Sequence, residues 1–255
     1  MWPFSRRNTT PARPNLFDIH NHCLFHLDDG AADITESRAM LDGLFQMGFR
    51  GIIATPHYNH TMFETPSADQ IANRLAAFFN LSETEFPTVI AGAEIAMRDR
   101  FREKMNNDEF PGIGGAYLLE FGNQPGEITP GFNEFLFDFQ QKGRTAVLAH
   151  VERYQTFQNT PELLYEFRRR GAVVQLDIMS LSGRYGPGAR RFAWQLIENN
   201  AVDIVATDIH SSADLPLIEK SISALFDHDA VQFARIASSN PQALFESRPQ
   251  DIPGE

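Results

Sequence analysis

The chain has 255 residues, of which 42% are hydrophobic and 22% charged, the balance of an ordinary folded protein. Its net charge of −11 argues against a nucleic-acid backbone or an anionic membrane surface as a partner, because both attract basic surfaces. The single cysteine, Cys23, excludes an intramolecular disulfide and a cysteine-rich zinc module. The sequence contains no run of about 18 apolar residues, so we expect no membrane span. No apolar segment follows the basic residues near the start, so we expect no secretory signal. We therefore expect a cytoplasmic protein.

Short apolar runs of the kind that form buried parallel strands recur along the chain, and amphipathic segments lie between most of them. We predict seven strands, at Leu16–Ile19, Gly51–Thr55, Thr88–Ala93, Ala116–Leu119, Thr145–Ala149, Ala172–Leu176 and Asp203–Thr207. This alternation predicts a parallel α/β protein, either an open doubly wound sheet or a closed (β/α) barrel. No Gly/Ser linker divides the chain, so we predict one domain at 16–246 between a flexible arm at 1–15 and a flexible tail at 247–255.

Four of the intervening segments carry helix signals: from Asp33 to Gly48, from Ser67 onward, from Phe132 to Gly143, and from Thr160 to Gly171. Asp33 and Ser67 each have a Glu or Gln three residues later, at Glu36 and Gln70, which is a capping-box pattern. The third segment carries phenylalanines at helical spacing. Such a stripe is typical of core packing, and we predict it to be buried.

The histidines are the most informative residues. Seven of the eight lie within a few residues of the carboxyl end of a predicted strand: His20, His22, His26, His57, His60, His150 and His210. Carboxylates hold equivalent positions at Asp18, Asp29, Glu94, Glu120 and Asp208. In a barrel these strand ends converge on one face, where active sites form. Carboxylates gathered without thiolates repel one another unless divalent cations neutralise them, so we predict two or three metal ions.

Plainer interpretations exist for the individual signals. A single histidine at a strand end is more often a hydrogen-bonded structural residue than a ligand, and Asp28-Asp29-Gly30 is also typical of a turn. Other chemistries lack their motifs. Asp29 stands where a cysteine-dependent phosphatase would need the arginine of Cys-x5-Arg, and the chain contains neither a Gly-x4-Gly-Lys-Ser/Thr phosphate loop nor a Gly-x-Ser-x-Gly elbow. Hydrolytic power would therefore depend on metal.

Seven motifs occur in a fixed order: Asp18-Ile19-His20-Asn21-His22, Asp28-Asp29-Gly30, Ala54-Thr55-Pro56-His57, Gly92-Ala93-Glu94-Ile95, Leu119-Glu120-Phe121, His150-Val151-Glu152-Arg153-Tyr154 and Thr207-Asp208-Ile209-His210. Together they resemble the polymerase-and-histidinol-phosphatase (PHP) superfamily. They are most similar to its branch of manganese-dependent bacterial protein-tyrosine phosphatases of capsule and exopolysaccharide operons. Met62-Phe63-Glu64-Thr65-Pro66 also resembles that branch. The resemblance spans residues 16 to 245.

The resemblance implies a distorted (β/α)7 barrel with a trinuclear site. Manganese is the ion it implies, with iron, cobalt and zinc as alternatives. By position, the metal ligands would be His20, His22, His57, Glu94, Glu120, His150, Asp208 and His210. Asp29 would be a further acidic member and Arg153 the phosphate-contacting arginine. Apart from the resemblance, His210 and His26 are two candidates for a weak or water-mediated general acid. One position departs from the branch, because Leu215 stands where an arginine often lies and leaves a second phosphate contact in doubt.

Three functions follow from these patterns. The first is hydrolysis of phosphotyrosine on a bacterial tyrosine kinase that controls polysaccharide export. A tyrosine leaving group has a pKa near 10, so it needs less proton donation than a serine alkoxide. The second function is hydrolysis of a small phosphomonoester such as histidinol phosphate. The third is a weakly active, metal-binding regulator of the export machinery. The sequence does not specify the oligomeric state.

Overall fold

The computed structural model describes residues 13–79, 86–98, 100–122 and 131–247. Within them lie nine parallel strand segments: β1 (Leu16–Asp18), β2 (Phe49–Ala54), β3 (His57–Tyr58), β4 (Thr88–Ala91), β5 (Glu94–Ala96), β6 (Ala116–Glu120), β7 (Thr145–Leu148), β8 (Val173–Asp177) and β9 (Ile204–Ala206). The helices are α1 (Ile34–Met47), α2 (Ala68–Phe79), α3 (Phe101–Asn106), α4 (Phe132–Gln141), α5 (Gln155–Asn159), α6 (Pro161–Arg169), α7 (Gly186–Glu198), α8 (Leu215–His228), α9 (Ala230–Ala234) and α10 (Asn240–Glu246).

Each long strand of the sheet, counted across any short interruption, is called a stave. The second and third staves are each interrupted. β2 and β4 stop and resume, after a gap of two residues, as β3 and β5. The register continues across the gap, because Ala54 pairs with Ala91 and His57 pairs with Glu94. Pro56 lies in the first gap, where its missing N–H group prevents a regular ladder. The nine segments therefore make up seven staves, each containing one of the predicted strands.

The staves follow one another in chain order, as β1-β2-β4 and β3-β5-β6-β7-β8-β9. The gap between β1 and β9 is closed just beyond the strands by a parallel bridge between Asn21 and Ile209. Asp18 strengthens this closure, because its Oδ1 accepts the backbone N–H of Thr207 at 2.9 Å and its Oδ2 accepts the Thr207 hydroxyl at 2.5 Å. The curled sheet confirms the predicted distorted (β/α)7 barrel and excludes the open doubly wound sheet.

The predicted helix boundaries are also confirmed. Asp33 caps α1, with its Oδ1 accepting the N–H of Glu36 at 2.9 Å, and Gly48 ends the helix at a φ of 105°. Ser67 and Gln70 bond reciprocally at the start of α2, at 3.2 Å and 2.9 Å. These caps satisfy backbone donors that the first turn of a helix leaves free.

The apolar faces of the helices pack against the barrel. The phenylalanine stripe of α4 is buried, as predicted, through Phe132, Phe135 and Phe139. Phe132 lies with its ring 5.1 Å from that of Phe121 and 4.7 Å from that of Phe167, at the steep angles that aromatic pairs favour. Cys23 is fully buried in the same core, and burial raises the pKa of its thiol above the usual range.

Most of the predicted arm at 1–15 and tail at 247–255 lies outside the described residues, so the division into arm, domain and tail stays a prediction. Among the helices of the described ranges, none combines the length and the apolar character that crossing a bilayer requires.

Candidate metal centre

The candidate ligands come from six of the seven staves. His20 and His22 follow β1, His57 opens β3, Glu94 opens β5, Glu120 ends β6, His150 follows β7, and Asp208 and His210 follow β9. Because the strands are parallel, these positions share one rim of the barrel. His150 and Asp208 adopt positive φ angles of 34° and 47°, which residues other than glycine seldom do. Such local backbone strain is common at functional sites. At both positions the backbone turns sharply at the rim of the barrel.

The ligand atoms form three groups, and within each group all of them lie within 4.8 Å of one another. Group A contains His20, His22, Glu94 and Asp208; group B contains His22, Asp29, His57 and His210; group C contains His57, Glu94 and Glu120. His22, His57 and Glu94 each belong to two groups, so the three groups form one continuous cluster. Every group combines imidazole nitrogen with carboxylate oxygen, the donor set of a hydrolytic metal site.

The ligand atoms of group A lie close to one another without forming hydrogen bonds. His20 Nε2 lies 3.1 Å from both Glu94 Oε2 and Asp208 Oδ1, and His22 Nε2 lies 3.4 Å and 3.2 Å from the same two atoms. Yet neither Nε2 atom nor Asp208 Oδ1 has a hydrogen-bond partner in the described part of the chain, although all three are buried. Buried polar atoms are almost always satisfied. A cation between them would satisfy all of them, so these residues fit a metal ion.

Second contacts orient three of the histidines. Their Nδ1 atoms face oxygen acceptors: Gln175 Oε1 at 3.3 Å from His20, Asp28 Oδ2 at 2.8 Å from His22, and the Asp208 carbonyl at 2.9 Å from His210. Gln175 Oε1 also accepts the backbone N–H of His150 at 2.7 Å, which fixes the orientation of its amide. In the neutral imidazole, each Nδ1 would therefore carry the proton and donate it to that oxygen, and the lone pair on Nε2 would be directed at the cluster.

Sequence reasoning did not assign these orienting residues. In the sequence, Asp28 belongs only to a turn or an acidic motif, and Gln175 lies inside a strand with no motif around it. A signal for Asp28 did exist, since metal-binding histidines usually donate to a carboxylate or a carbonyl. The role of Gln175 becomes visible only in the folded barrel, where its side chain contacts His20 and the backbone of His150.

Charge balance within the cluster depends on protons when no ion is present. Burial lowers the pKa of His20, but the charges of Asp208 and Glu94 outweigh burial and raise it to about 10. Burial raises the pKa values of Glu94 and Asp208, yet protonated His20 brings both well below the usual range. Burial and the charge of Glu94 together raise the pKa of Glu120 to about 9. Protons thus occupy the cluster in the absence of metal, and ions compete with them.

Group B lies at the open side of the cluster. Asp29 Oδ1 is 3.4 Å from His57 Nε2 and 3.4 Å from His210 Nε2, and the side chain of Asp29 is 50% exposed. Burial raises the pKa of Asp29, but its bonds to the two histidines bring it far below the usual range. Asp29 therefore joins the cluster and is more than a turn residue. His26, in contrast, is exposed, stands 5.9 Å from the ring of Phe25, and belongs to none of the three groups.

His150 joins the cluster indirectly. Its Nε2 lies 2.8 Å from Glu94 Oε1, whereas its Nδ1 has no hydrogen-bond partner within the described ranges. Burial lowers the pKa of His150 to about 4, so the imidazole is neutral near pH 7. The structure thus brings His150 to the shared ligand Glu94 without placing it in one of the compact groups.

Arg153 lies at the edge of the cluster and not on the outer surface, with 22% of its side chain exposed. Its Nη2 donates to Asp208 Oδ2 at 2.5 Å, to the Tyr185 hydroxyl at 2.7 Å and to Asp177. The guanidinium carbon also lies 3.7 Å from the centre of the Tyr185 ring. The guanidinium is therefore fixed beside the carboxylate whose other oxygen belongs to group A. Asp177 and Tyr185 were not predicted from the sequence.

Leu215 supplies packing and no charge. An added Cβ on Gly43 of α1 would lie 2.4 Å from Leu215 Cδ1, so this side chain fills the space between α8 and α1. The nearby Arg184 pairs with Asp214 at 3.2 Å and is half exposed.

Comparisons with known proteins match this chain over nearly its whole length. The family model described as "Capsular polysaccharide synthesis, CpsB/CapC" matches residues 16–246. The tyrosine-protein phosphatase YwqE of Bacillus subtilis is 30% identical, with 93% of this chain and 96% of that protein covered. The tyrosine-protein phosphatase CpsB of Streptococcus pneumoniae is also 30% identical, with 79% and 85% covered.

Solved structures agree with this comparison. A chain from the crystal structures of YwqE and CpsB from the same two organisms, described as metal-dependent tyrosine phosphatases, matches with a TM-score of 0.81 at 25% identity, and the match covers 92% of this chain and 97% of that one. A histidinol phosphate phosphatase from Lactococcus lactis, complexed with zinc, L-histidinol and phosphate, matches with a TM-score of 0.54 at 15% identity, covering 84% and 93%. The second match shows a shared fold.

Proposed function

Because this chain belongs to the capsular polysaccharide synthesis family CpsB/CapC, we propose that it is a metal-dependent protein-tyrosine phosphatase. The observation that carries the proposal is the continuous cluster of groups A, B and C. Five of its buried ligand atoms have no hydrogen-bond partner among the described residues: His20 Nε2, His22 Nε2, His57 Nδ1, Glu120 Oε1 and Asp208 Oδ1. It lies in a chain that resembles named tyrosine phosphatases from end to end. A site of this kind is suited to hydrolysis of a phosphomonoester.

We assign the metal ligands to the residues that form or contact the cluster: His20, His22, His57, Glu94, Glu120, His150, Asp208 and His210, with Asp29 as a further member. Two or three divalent ions fit three linked groups. Nitrogen and oxygen donors without thiolate favour manganese, with iron, cobalt and zinc as alternatives. When bound, such ions supply Lewis acidity and lower the pKa of a coordinated water.

The other residues of the site bind phosphate and handle protons. Arg153 carries a fixed positive charge at the rim, and a planar guanidinium binds two phosphate oxygens at once. Asp177 and Tyr185 hold that guanidinium in place. Asp29 and His210 are the most exposed members of the cluster, at 50% and 29%, so they meet the incoming substrate first. Asp29 is ionised and lies 3.4 Å from His210, so we assign it to positioning that imidazole and assign His210 to proton donation at the leaving oxygen, which tyrosine requires only weakly.

The substrate we infer is phosphotyrosine on a bacterial tyrosine kinase that acts in polysaccharide synthesis or export in the cytoplasm. Support for this comes from the family description and the names of the relatives. The net charge of −11 supports a protein substrate over nucleic acid.

A substrate panel with metal analysis tests the proposal. Purified protein is stripped with chelator, reloaded with manganese, and assayed on a phosphotyrosine peptide, histidinol phosphate and p-nitrophenyl phosphate. We expect turnover to require metal and to be highest on the peptide. His20→Ala and Asp208→Ala should lose both turnover and metal, because each change removes a ligand from group A. The control Asp42→Ala, on the exposed side of α1, should lose neither.

Two results would contradict the proposal. Preference for histidinol phosphate would indicate a small-molecule phosphatase. Metal binding without turnover of any of the three compounds would indicate a regulator.

A further inference from the structure

One of the sequence motifs, Met62-Phe63-Glu64-Thr65-Pro66, contributes no ligand to groups A, B and C. Its phenylalanine nevertheless contacts the cluster. The ring of Phe63 lies 5.3 Å from that of His57 with an angle of 8° between their planes, and 4.9 Å from that of His60 at 19°. His57 and His60 are 4.8 Å apart at 26°. Three rings at small interplanar angles, each in contact with the other two, therefore form a compact group that includes a candidate metal ligand.

The loop that carries these rings is fixed at its base. Asn59 adopts a left-handed φ of 57°, and its backbone N–H donates to Thr65 Oγ1 at 3.2 Å, which closes the loop. The Asn59 side chain donates to the Ala96 carbonyl at 3.0 Å, which ties the loop to β5. Within the loop, His60 Nδ1 accepts the N–H of Met62 at 3.2 Å. The rings are thus positioned before any ligand arrives.

The same loop exposes apolar surface beside the cluster. In the described residues, large apolar side chains are exposed at Met62 (72%), Phe137 (61%), Tyr185 (37%) and Val231 (83%). Met62 immediately precedes the stacked Phe63. Tyr185 is also close to the cluster, but the Arg153 guanidinium already covers a face of its ring. The loop therefore offers open apolar surface next to the metal ligands.

We propose that His60, Met62 and Phe63, here called the aromatic platform, bind the phenyl ring of the phosphotyrosine substrate. The inference rests on the proposed function, since it requires the phosphoryl group to bind at groups A, B and C. In phosphotyrosine a single oxygen joins phosphorus to the ring, so a bound ring must lie directly beside the metal ligands. Aromatic faces and a methionine thioether are favourable partners for such a ring, and a phosphoserine side chain offers nothing equivalent to them.

Binding of two phosphonates separates the contribution of the ring from that of the phosphoryl group. Phenylphosphonate and methylphosphonate share the anionic head, and neither is hydrolysed by breaking a P–O ester bond. Isothermal titration of the manganese-loaded protein with each gives a ratio of dissociation constants. We expect Phe63→Leu and Met62→Ala to weaken phenylphosphonate by about 10-fold and about 3-fold and to leave methylphosphonate unchanged. Phe137→Leu, an exposed phenylalanine on α4, is the matched control and should alter neither constant.

Metal content measured in the same samples distinguishes two roles of Phe63, binding the ring of the ligand and holding His57 in place. Equal weakening of both phosphonates together with loss of metal in Phe63→Leu would assign the ring to holding His57 and overturn the inference. Because Met62 is 72% exposed, Met62→Ala tests the surface even if the Phe63 variant fails to fold. Unchanged ratios in both variants would also overturn it. If the variants weaken phenylphosphonate as expected but the wild type hydrolyses no phosphomonoester, the proposed function fails, whereas binding of an aromatic phosphonate by the platform stands.

Discussion

Arg153 is paired with Asp177 and Asp208 before any phosphate arrives. Its contribution to catalysis is therefore the difference between its interaction energy with phosphate and its interaction energy with these carboxylates. Replacement by alanine should lower kcat/KM for a phosphotyrosine peptide on the order of 10²-fold, about 2.7 kcal/mol, because a bidentate charge-assisted contact is lost. Arg153→Lys should recover only part, since lysine lacks the planar fork. Steady-state kinetics with metal analysis of the same samples measures the effect.

The matched control is Arg184→Ala, since Arg184 lies next to Tyr185 in the chain but is half exposed and paired with Asp214. Its kcat/KM should stay at the wild-type value. Wild-type kinetics in Arg153→Ala would place the phosphate contact on another residue. Loss of metal in that variant would show instead that Arg153 acts by orienting Asp208.

Asp28 controls a ligand without being one. Its Oδ2 accepts from His22 Nδ1 at 2.8 Å, and the same oxygen accepts the backbone N–H of His57 at 3.2 Å. Asp28→Ala should weaken metal binding about 10–100-fold, because His22 loses the partner that fixes its tautomer and orientation. Asp28→Asn, which keeps an acceptor, should lose less. Competition with a metal-binding dye gives the affinities, with the exposed Asp138→Ala as control. Equal affinity in all four proteins would refute an orienting role.

The residues that the sequence revealed and those that it concealed differ in a physical way. A candidate ligand is recognisable because its residue type and its place at a strand end both matter, as for His20 and Asp208. Residues such as Gln175 and Asp177 also end or line a strand, but glutamine and aspartate are common there for many reasons. Their roles arise from contacts between distant segments, which no local pattern records.

At the scale of elements, the strand positions were predictable and their interruptions were not. Apolar runs at Gly51–Thr55 and Thr88–Ala93 marked the second and third staves correctly. The resumption of these staves as β3 and β5 occurs at His57 and Glu94, which are polar and therefore look like loop residues. Polar residues can continue a strand at the rim of this barrel because their side chains join the ligand cluster there.

The closure between β1 and β9 yields a prediction about stability. Both carboxylate oxygens of Asp18 accept hydrogen bonds. Oδ1 accepts the backbone N–H of Thr207, and Oδ2 accepts the Thr207 hydroxyl and Asn21 Nδ2. In Asp18→Asn one oxygen becomes an NH₂ group facing donors, which should cost about 2 kcal/mol of unfolding free energy. Urea unfolding of the metal-free protein measures it, with Asp42→Asn on the surface expected to stay within about 0.5 kcal/mol of wild type. Identical midpoints for Asp18→Asn and wild type would mean that the closure does not depend on this carboxylate.

For the whole molecule, the cluster couples stability to pH when no metal is bound. His20 has a pKa of about 10 in the folded chain against 6.5 ordinarily, so its stabilising contribution is complete below about pH 6.5 and disappears as the pH rises through 10. Glu120 acts in the same direction. Its folded pKa is about 9 against 4.5, so deprotonation in the unfolded chain opposes folding increasingly as the pH rises toward 9.

The metal-free protein should therefore lose thermal stability steadily between about pH 7 and pH 9, whereas the manganese-loaded protein should change much less. The reason is that bound ions replace the protons as the charges that neutralise Glu94, Glu120 and Asp208, and their positive charge does not titrate away. Thermal unfolding of both forms across this pH range measures the two slopes. The variant Glu120→Gln, which removes one of the contributing titrations, should make the slope of the metal-free form less steep. Parallel slopes with and without metal would show that other groups govern the pH dependence, and the cluster would then not be the place where protons and metal compete.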